Sequence, residues 1–380
     1  MNVEIPHPNI PPATPAATRL DRLAFVDALR GWAVLAVMTV HAKMWITPEL
    51  PTWFNKLSAH GARGVQLFYV VSAFTLFLSV ARRSAVESAP LRNFFIRRFF
   101  RIAPMFYVAL ILFLARDVWS ANPGKHASLA EILATAFFVN GWNPHWINNV
   151  VLGQWSVAVE MMFYLSVPIL AAYIKDIVDA LWLFLTASIA SAALYIILAP
   201  WNPAQDALLW QNFLFLWLPT QTPNFALGII LYFAWLKIDS GQIDRRLANC
   251  LLCASILLMV AALQGGFRFL TSTTLFSVAF VLFALGLAGN PISLFVNKIT
   301  RSLGNVSYSF YLTHGLVIPL AAAVLNRAYR LSEAPALAQY ALLWFLGGLA
   351  TFVVSSISFR LIEKPGMALG KRLIQKLEAQ

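Results

Sequence analysis

The chain has 380 residues, of which 59% are apolar and only 12% charged, with a formal net charge of +12 and a mean hydropathy of +0.69. Soluble domains average about 45–50% apolar and about 25% charged, so this composition excludes a soluble globular protein. Nucleic acid, the usual partner of a basic chain, is excluded because the Lys and Arg residues lie in loops between apolar runs, where membrane topology places them.

Residues 1–20 are rich in Pro, Ala and Thr, lack an apolar core of the signal-peptide kind, and are expected to form a disordered cytoplasmic tail. Ten apolar runs follow that are long enough to cross a bilayer about 30 Å thick: 29–47, 64–80, 102–118, 155–174, 180–199, 222–237, 247–264, 271–288, 304–325 and 337–359. Two more apolar pieces, 129–141 and 208–219, are too short or too interrupted and read as re-entrant or interfacial segments. With the N-terminus inside, about twenty Lys and Arg fall in inner loops and eight in outer ones, a bias that places both termini in the cytoplasm. The predicted fold is therefore all-α, a polytopic membrane bundle of about ten transmembrane helices over 21–365, with a basic cytoplasmic tail over 366–380. The longer loops, 119–154 and 200–221, face outside and carry Trp119, Trp142, Trp146, Trp201, Trp210 and Trp217. These suit either an interfacial belt or aromatic platforms for sugar rings. Cys250 and Cys253 sit three apart in an apolar run. Two thiols make no zinc site, and both are read as small buried residues.

The first span, DALRGWAVLAVMTVH, opens with Asp27 and Arg30 and ends on His41. At about 100° and about 1.5 Å per residue, Arg30 and His41 share one helix face but lie roughly 16 Å apart along it. An ionisable residue inside the hydrocarbon is costly and marks a candidate site; the plain alternative is a hydrogen bond to a neighbouring helix. The second loop, which lies inside, reads RNFFIRRFFRIAP and carries Arg97, Arg98 and Arg101 at helical spacing. They are either topology anchors snorkelling to the surface or a bidentate site for phosphates. The fourth span, QWSVAVEMMFYLSVP, places Glu160 about one and a half turns below Trp155 and Ser156. A buried carboxylate there either locks two helices or orients an imidazole acting as a general base. In the ninth span, LGNVSYSFYLTHG, Ser307, Tyr311 and His314 form a polar stripe beside Tyr308.

Taken together with GVQLFYVVSAFTLF and a late EKP, these motifs resemble the acyltransferase-3 family of integral membrane O-acyltransferases. The likeness covers about 340 residues, with the motifs in the family's order and spacing. It implies ten or so helices, and acetyl-CoA or another acyl-CoA as co-substrate entering from the cytoplasm. It also implies acyl transfer to a hydroxyl of a glycan or glycolipid acceptor, in a bacterial inner membrane. The family's first-helix arginine and histidine fall on Arg30 and His41, and its R-x-x-R on Arg98 and Arg101. Its WSLxxE residues fall on Trp155, Ser156 and Glu160, and its SYxxYLxH on Ser307, Tyr308, Tyr311 and His314. Two departures stand out: Ser72–Ala73–Phe74 where the family has SGF, and Met161–Met162 after Glu160 where it has Glu-Gln.

The expected enzyme uses His41 as general base or transient acyl carrier, with Glu160 orienting it. Arg30, beside Asp27, holds the donor or stabilises developing negative charge. Arg97, Arg98 and Arg101 take the CoA phosphates, and Trp155, Ser156, Tyr308, Tyr311 and His314 support the site or the acceptor. No metal is expected, because His41, Glu160 and His314 lie on different helices without local ligand spacing. No fused esterase-like domain follows the last span, so the acceptor site is expected within the membrane domain. The competing reading is a proton-coupled transporter or flippase of a glycolipid or anionic substrate, which buried His, Glu and Arg also suit.

Overall fold

A computed structural model describes residues 23–46, 49–84, 86–119, 127–239, 244–267, 270–330 and 333–379; the tail expected over 1–20 lies outside them. The helices are α1 (Ala24–Ala42), α2 (Thr52–Ala59), α3 (Gly64–Arg83), α4 (Pro90–Trp119) and α5 (Leu129–Ala136). They continue with α6 (Gln154–Tyr173), α7 (Ile177–Leu198), α8 (Ala207–Leu216), α9 (Leu218–Asp239) and α10 (Arg245–Leu263). The last five are α11 (Ser272–Gly289), α12 (Lys298–Asn305), α13 (Ser307–Tyr329), α14 (Ala336–Ser358) and α15 (Lys364–Glu378). The one strand pairing among the described residues is a two-residue antiparallel hairpin, Gly266–Phe267 with Leu270–Thr271. Among the described residues, ten helical stretches are long and apolar enough to cross a membrane, so the protein is an all-α, polytopic integral membrane bundle.

Every predicted span has a counterpart, but several helices run past the apolar run that announces them. The second stretch begins at Thr52, because α2 and a 3-10 turn, His60–Arg63, lead directly into α3. The third begins at Pro90, so Arg97, Arg98 and Arg101 ride on α4 itself rather than in a loop. The piece at 129–141 is α5 plus a 3-10 turn, Asn140–Trp142, and the piece at 208–219 is α8, which runs into α9. Where helices start at polar loops, short side chains satisfy the orphan N–H groups of the first turn. Asp176 accepts from Val178 and Asp179, Asp206 from Leu208 and Leu209, and Asp244 from Leu247. Ser128 with Glu131 and Asn297 with Thr300 form reciprocal capping boxes. Cys250 and Cys253, expected inside, are exposed on α10. A lipid-facing position is as apolar as a core position, so composition does not distinguish the two.

The described residues divide into two compact units, 23–71 with 234–359 and 72–233 with 360–379. In the first, α1 is the central helix. It crosses α12 at a glycine pair: a Cβ on Gly31 would lie 2.1 Å from the Thr300 carbonyl oxygen, and one on Gly304 would lie 1.8 Å from that of Asp27. Only glycine allows backbones this close, and the crossing fixes the Asp27–Arg30 end of α1. Further along, Val34, Met38, Phe310, Ile318 and Leu343 bury α1 against α13 and α14. Tyr340 donates to the Thr39 carbonyl (3.1 Å) and Trp344 to the Thr39 hydroxyl (3.2 Å), pinning α14 two residues from His41.

In the second unit, Phe163 of α6 stacks on Phe225 of α9 at 3.9 Å between centroids, and Tyr107 of α4 donates to the Ala136 carbonyl ending α5. The loop into α6 is held by buried amides: Gln154 donates to Trp146 and accepts from the Val151 N–H, and Asn140 donates to Ile147. Gly153 takes a left-handed φ of 79° just before α6, a conformation that favours glycine. A π turn, Phe359–Glu363, leads into α15, which lies along α4 with Gly366 on Pro104 and Gly370 on Phe100.

Candidate active site

Two polar clusters lie in the spans, one in each unit. The first is a pair of histidines. His314 of α13 is 1% exposed, and its Nε2 lies 2.9 Å from Nδ1 of His41 on α1, with ring centroids 4.8 Å apart. The other His314 nitrogen, Nδ1, sits 2.5 Å from the Tyr311 carbonyl oxygen one turn back. Tyr311 is itself buried, with its ring edge-on to Phe68 and near the His314 ring. His41 is only partly buried. One of the two rings is thus partly accessible and the other is sealed.

The second cluster surrounds Glu160 on α6. The Ser72 hydroxyl of α3 and the Tyr164 hydroxyl, the latter at 2.8 Å, both donate to its Oε1. Arg98 of α4 lies over the Tyr164 ring at 5.8 Å and over Phe94 at 5.6 Å, within the range of cation–π attraction. Carboxylate, phenol and guanidinium therefore form one connected chain from α6 to α4.

The neighbouring arginines have carboxylate partners. Arg101 Nη1 sits 2.9 Å from Glu363, whose side chain is 0% exposed, while that of Arg101 is 29% exposed. Arg97 Nη1 sits 2.7 Å from Glu87, which Arg83 also approaches at 3.3 Å. At the start of α1, Arg30 pairs with Asp27 at 3.7 Å. Trp155 and Ser156 are buried at the start of α6, with the Ser156 hydroxyl donating to the Gly153 carbonyl. Ser307 is buried and Tyr308 half-buried at the start of α13.

The structure thus brings His41 to His314, and Arg98 to the neighbourhood of Glu160. It adds four residues that sequence reasoning gave no role: Ser72, Tyr164, Glu87 and Glu363. Tyr164 stands four residues after Glu160 on one helix, a spacing that could have flagged it. The other three reach across from separate segments, and Glu363 was visible only as part of EKP.

Ionisable pairs enclosed by membrane-spanning helices, with arginines massed at the end of α4, define a polytopic membrane protein built around buried polar chemistry. The chain belongs to the acyltransferase-3 family, whose model, described as an acyltransferase domain, matches residues 23–360. It is 25% identical over 371 residues to the peptidoglycan O-acetyltransferase OatA of Listeria monocytogenes, a match covering 90% of this chain and 55% of that protein. It is 23% identical over 376 residues to the O-acetyltransferase OatA of Staphylococcus aureus, covering 90% of this chain and 56% of that protein. The chain spans about half the length of these relatives. No solved structure matches it.

Proposed function

We propose that this protein is a membrane-embedded O-acyltransferase. It moves an acyl group, most simply acetyl, from cytoplasmic acyl-CoA to a hydroxyl of a glycan or glycolipid in the bacterial inner membrane or beyond it. The observation that carries the reading is the His41–His314 pair, a reachable imidazole backed by a sealed one, in a chain of an acyltransferase family. The relatives' names supply the acetyl group and the glycan class.

In this reading the CoA phosphates lie at the cytoplasmic end of α4, where Arg98 has its aromatic neighbours and Arg97 and Arg101 stand beside it in ion pairs with Glu87 and Glu363. Arg30 stands roughly 16 Å along α1 from His41, so it suits the phosphate-bearing end of the donor rather than the reacting carbonyl. The pantetheine arm then presents the thioester to His41. As general base, His41 takes the proton of the acceptor hydroxyl while its oxygen attacks the thioester carbon. The C–S bond breaks, and the proton passes to the departing CoA thiolate. As acyl carrier, His41 attacks the thioester carbon and CoA leaves as the thiolate; the acceptor hydroxyl then attacks the acyl carbon, the C–N bond breaks, and the hydroxyl proton passes through the freed ring nitrogen to the thiolate. Glu160, held by Ser72 and Tyr164, supplies a fixed carboxylate to orient a reacting group.

Protein purified in detergent and given radiolabelled acetyl-CoA tests the donor half. Wild type should bind and slowly hydrolyse it, and Arg98→Ala should bind it more weakly. Failure to bind any member of an acyl-CoA series would turn the assignment to a proton-coupled transporter or flippase.

A further inference from the structure

The hydrogen-bond chain through the two histidines fixes where the protons sit. A carbonyl oxygen only accepts, so the contact between His314 Nδ1 and the Tyr311 carbonyl requires the hydrogen on His314 Nδ1. With both rings neutral, His314 Nε2 then carries a lone pair, and His41 Nδ1, 2.9 Å away, must be the donor. What remains is His41 Nε2, unprotonated, on the ring that is only partly buried.

We infer that His314 is a positioning residue that holds the proton on His41 Nδ1 and so makes Nε2 the reacting atom. The inference rests on the acyltransferase reading above. Its logic is that of a catalytic imidazole whose far nitrogen is fixed by a buried acceptor, with an imidazole and a helix carbonyl in place of a carboxylate. The balance holds for either route. As base, Nε2 takes the hydroxyl proton, and His41 becomes an imidazolium whose Nδ1–H stays on His314 until Nε2 gives its proton to the CoA thiolate. As carrier, Nε2 bonds to the acyl carbon as the C–S bond breaks, and the same Nδ1–H is retained. In neither route does a proton leave through His314, which is sealed. Its part is to present a lone pair, and any acceptor at that place would serve.

That last point separates positioning from mere packing of α1 against α13. His314→Gln offers an amide oxygen near the place of Nε2, whereas His314→Leu fills similar volume with no acceptor. Acetyl-CoA binding and turnover are measured separately on both variants, on His41→Ala and on wild type, each checked for monodispersity and thermal unfolding. The inference predicts donor affinity within about 3-fold of wild type for both His314 variants. It predicts kcat reduced about 10²-fold in His314→Leu, on the scale of general-base catalysis, and at least 10-fold better in His314→Gln. Wild-type kcat in folded His314→Leu, with His41→Ala inactive, would overturn the inference and leave the acyltransferase reading standing. A kcat in His314→Gln no better than in His314→Leu would also overturn it. Wild-type turnover by His41→Ala would instead strike the acyltransferase mechanism itself.

Discussion

The Arg101–Glu363 pair yields a prediction with an asymmetric outcome. Glu363 is fully buried and Arg101 mostly so, with their charged atoms 2.9 Å apart. Replacing Arg101 by Met takes the guanidinium from a carboxylate that is fully buried, and breaking a buried pair in this way costs about 3–5 kcal/mol. Replacing Glu363 by Met leaves a guanidinium whose side chain is 29% exposed. It can turn toward water, so the loss should be smaller, about 1–3 kcal/mol. Replacing both removes the buried charge, and similar apolar volumes are often neutral at such sites, so Arg101→Met/Glu363→Met should be more stable than Arg101→Met alone. Unfolding by SDS in mixed micelles, followed by tryptophan fluorescence, measures the order. Equal stability of Arg101→Met and wild type, or a double variant no better than that single, would refute the reasoning. The folded double variant then bears on function. Weakened acetyl-CoA binding would assign Arg101 to the donor as well as to the fold, and unchanged binding would leave it a structural tie between α4 and α15.

Gly304→Ala would set a methyl carbon 1.8 Å from the Asp27 carbonyl oxygen, forcing α1 and α12 apart; most of the protein should be lost from the membrane fraction, whereas Gly265→Ala, with open space around it, should cost only its strained φ of 103°, about 1 kcal/mol. Tyr164→Phe removes one donor to Glu160 and leaves the ring under Arg98, so stability should fall by about 1 kcal/mol; a loss equal to that of Glu160→Ala would show that the phenol does more than donate. Asp206→Ala should cost about 1 kcal/mol through loss of the cap on α8, with acetyl-CoA binding untouched.

The ten spans were legible because an apolar run either covers the bilayer or does not. Their true ends were not, because α4 continues as a charged helix back to Pro90 and α8 is prefixed to α9. Hydropathy sees only the part of a helix that lipid touches. Within the site, helical periodicity put His41 and His314 each on a polar stripe. Their contact spans 273 residues and depends on how α1, α13 and α14 pack, which spacing along one helix does not encode. The same holds for Ser72, 88 residues from Glu160, and for Glu363. The protons of the histidine pair became readable only when a carbonyl, an obligate acceptor, was found at one end of the chain.

Whether His41 performs the chemistry can be tested in a bilayer. Wild type and His41→Ala are reconstituted in vesicles with radiolabelled acetyl-CoA, and bound donor and released CoA are followed in the same samples. Both should bind the donor with similar affinity, and CoA release by His41→Ala should fall at least about 10²-fold. CoA release by His41→Ala at the wild-type rate would contradict that role for His41.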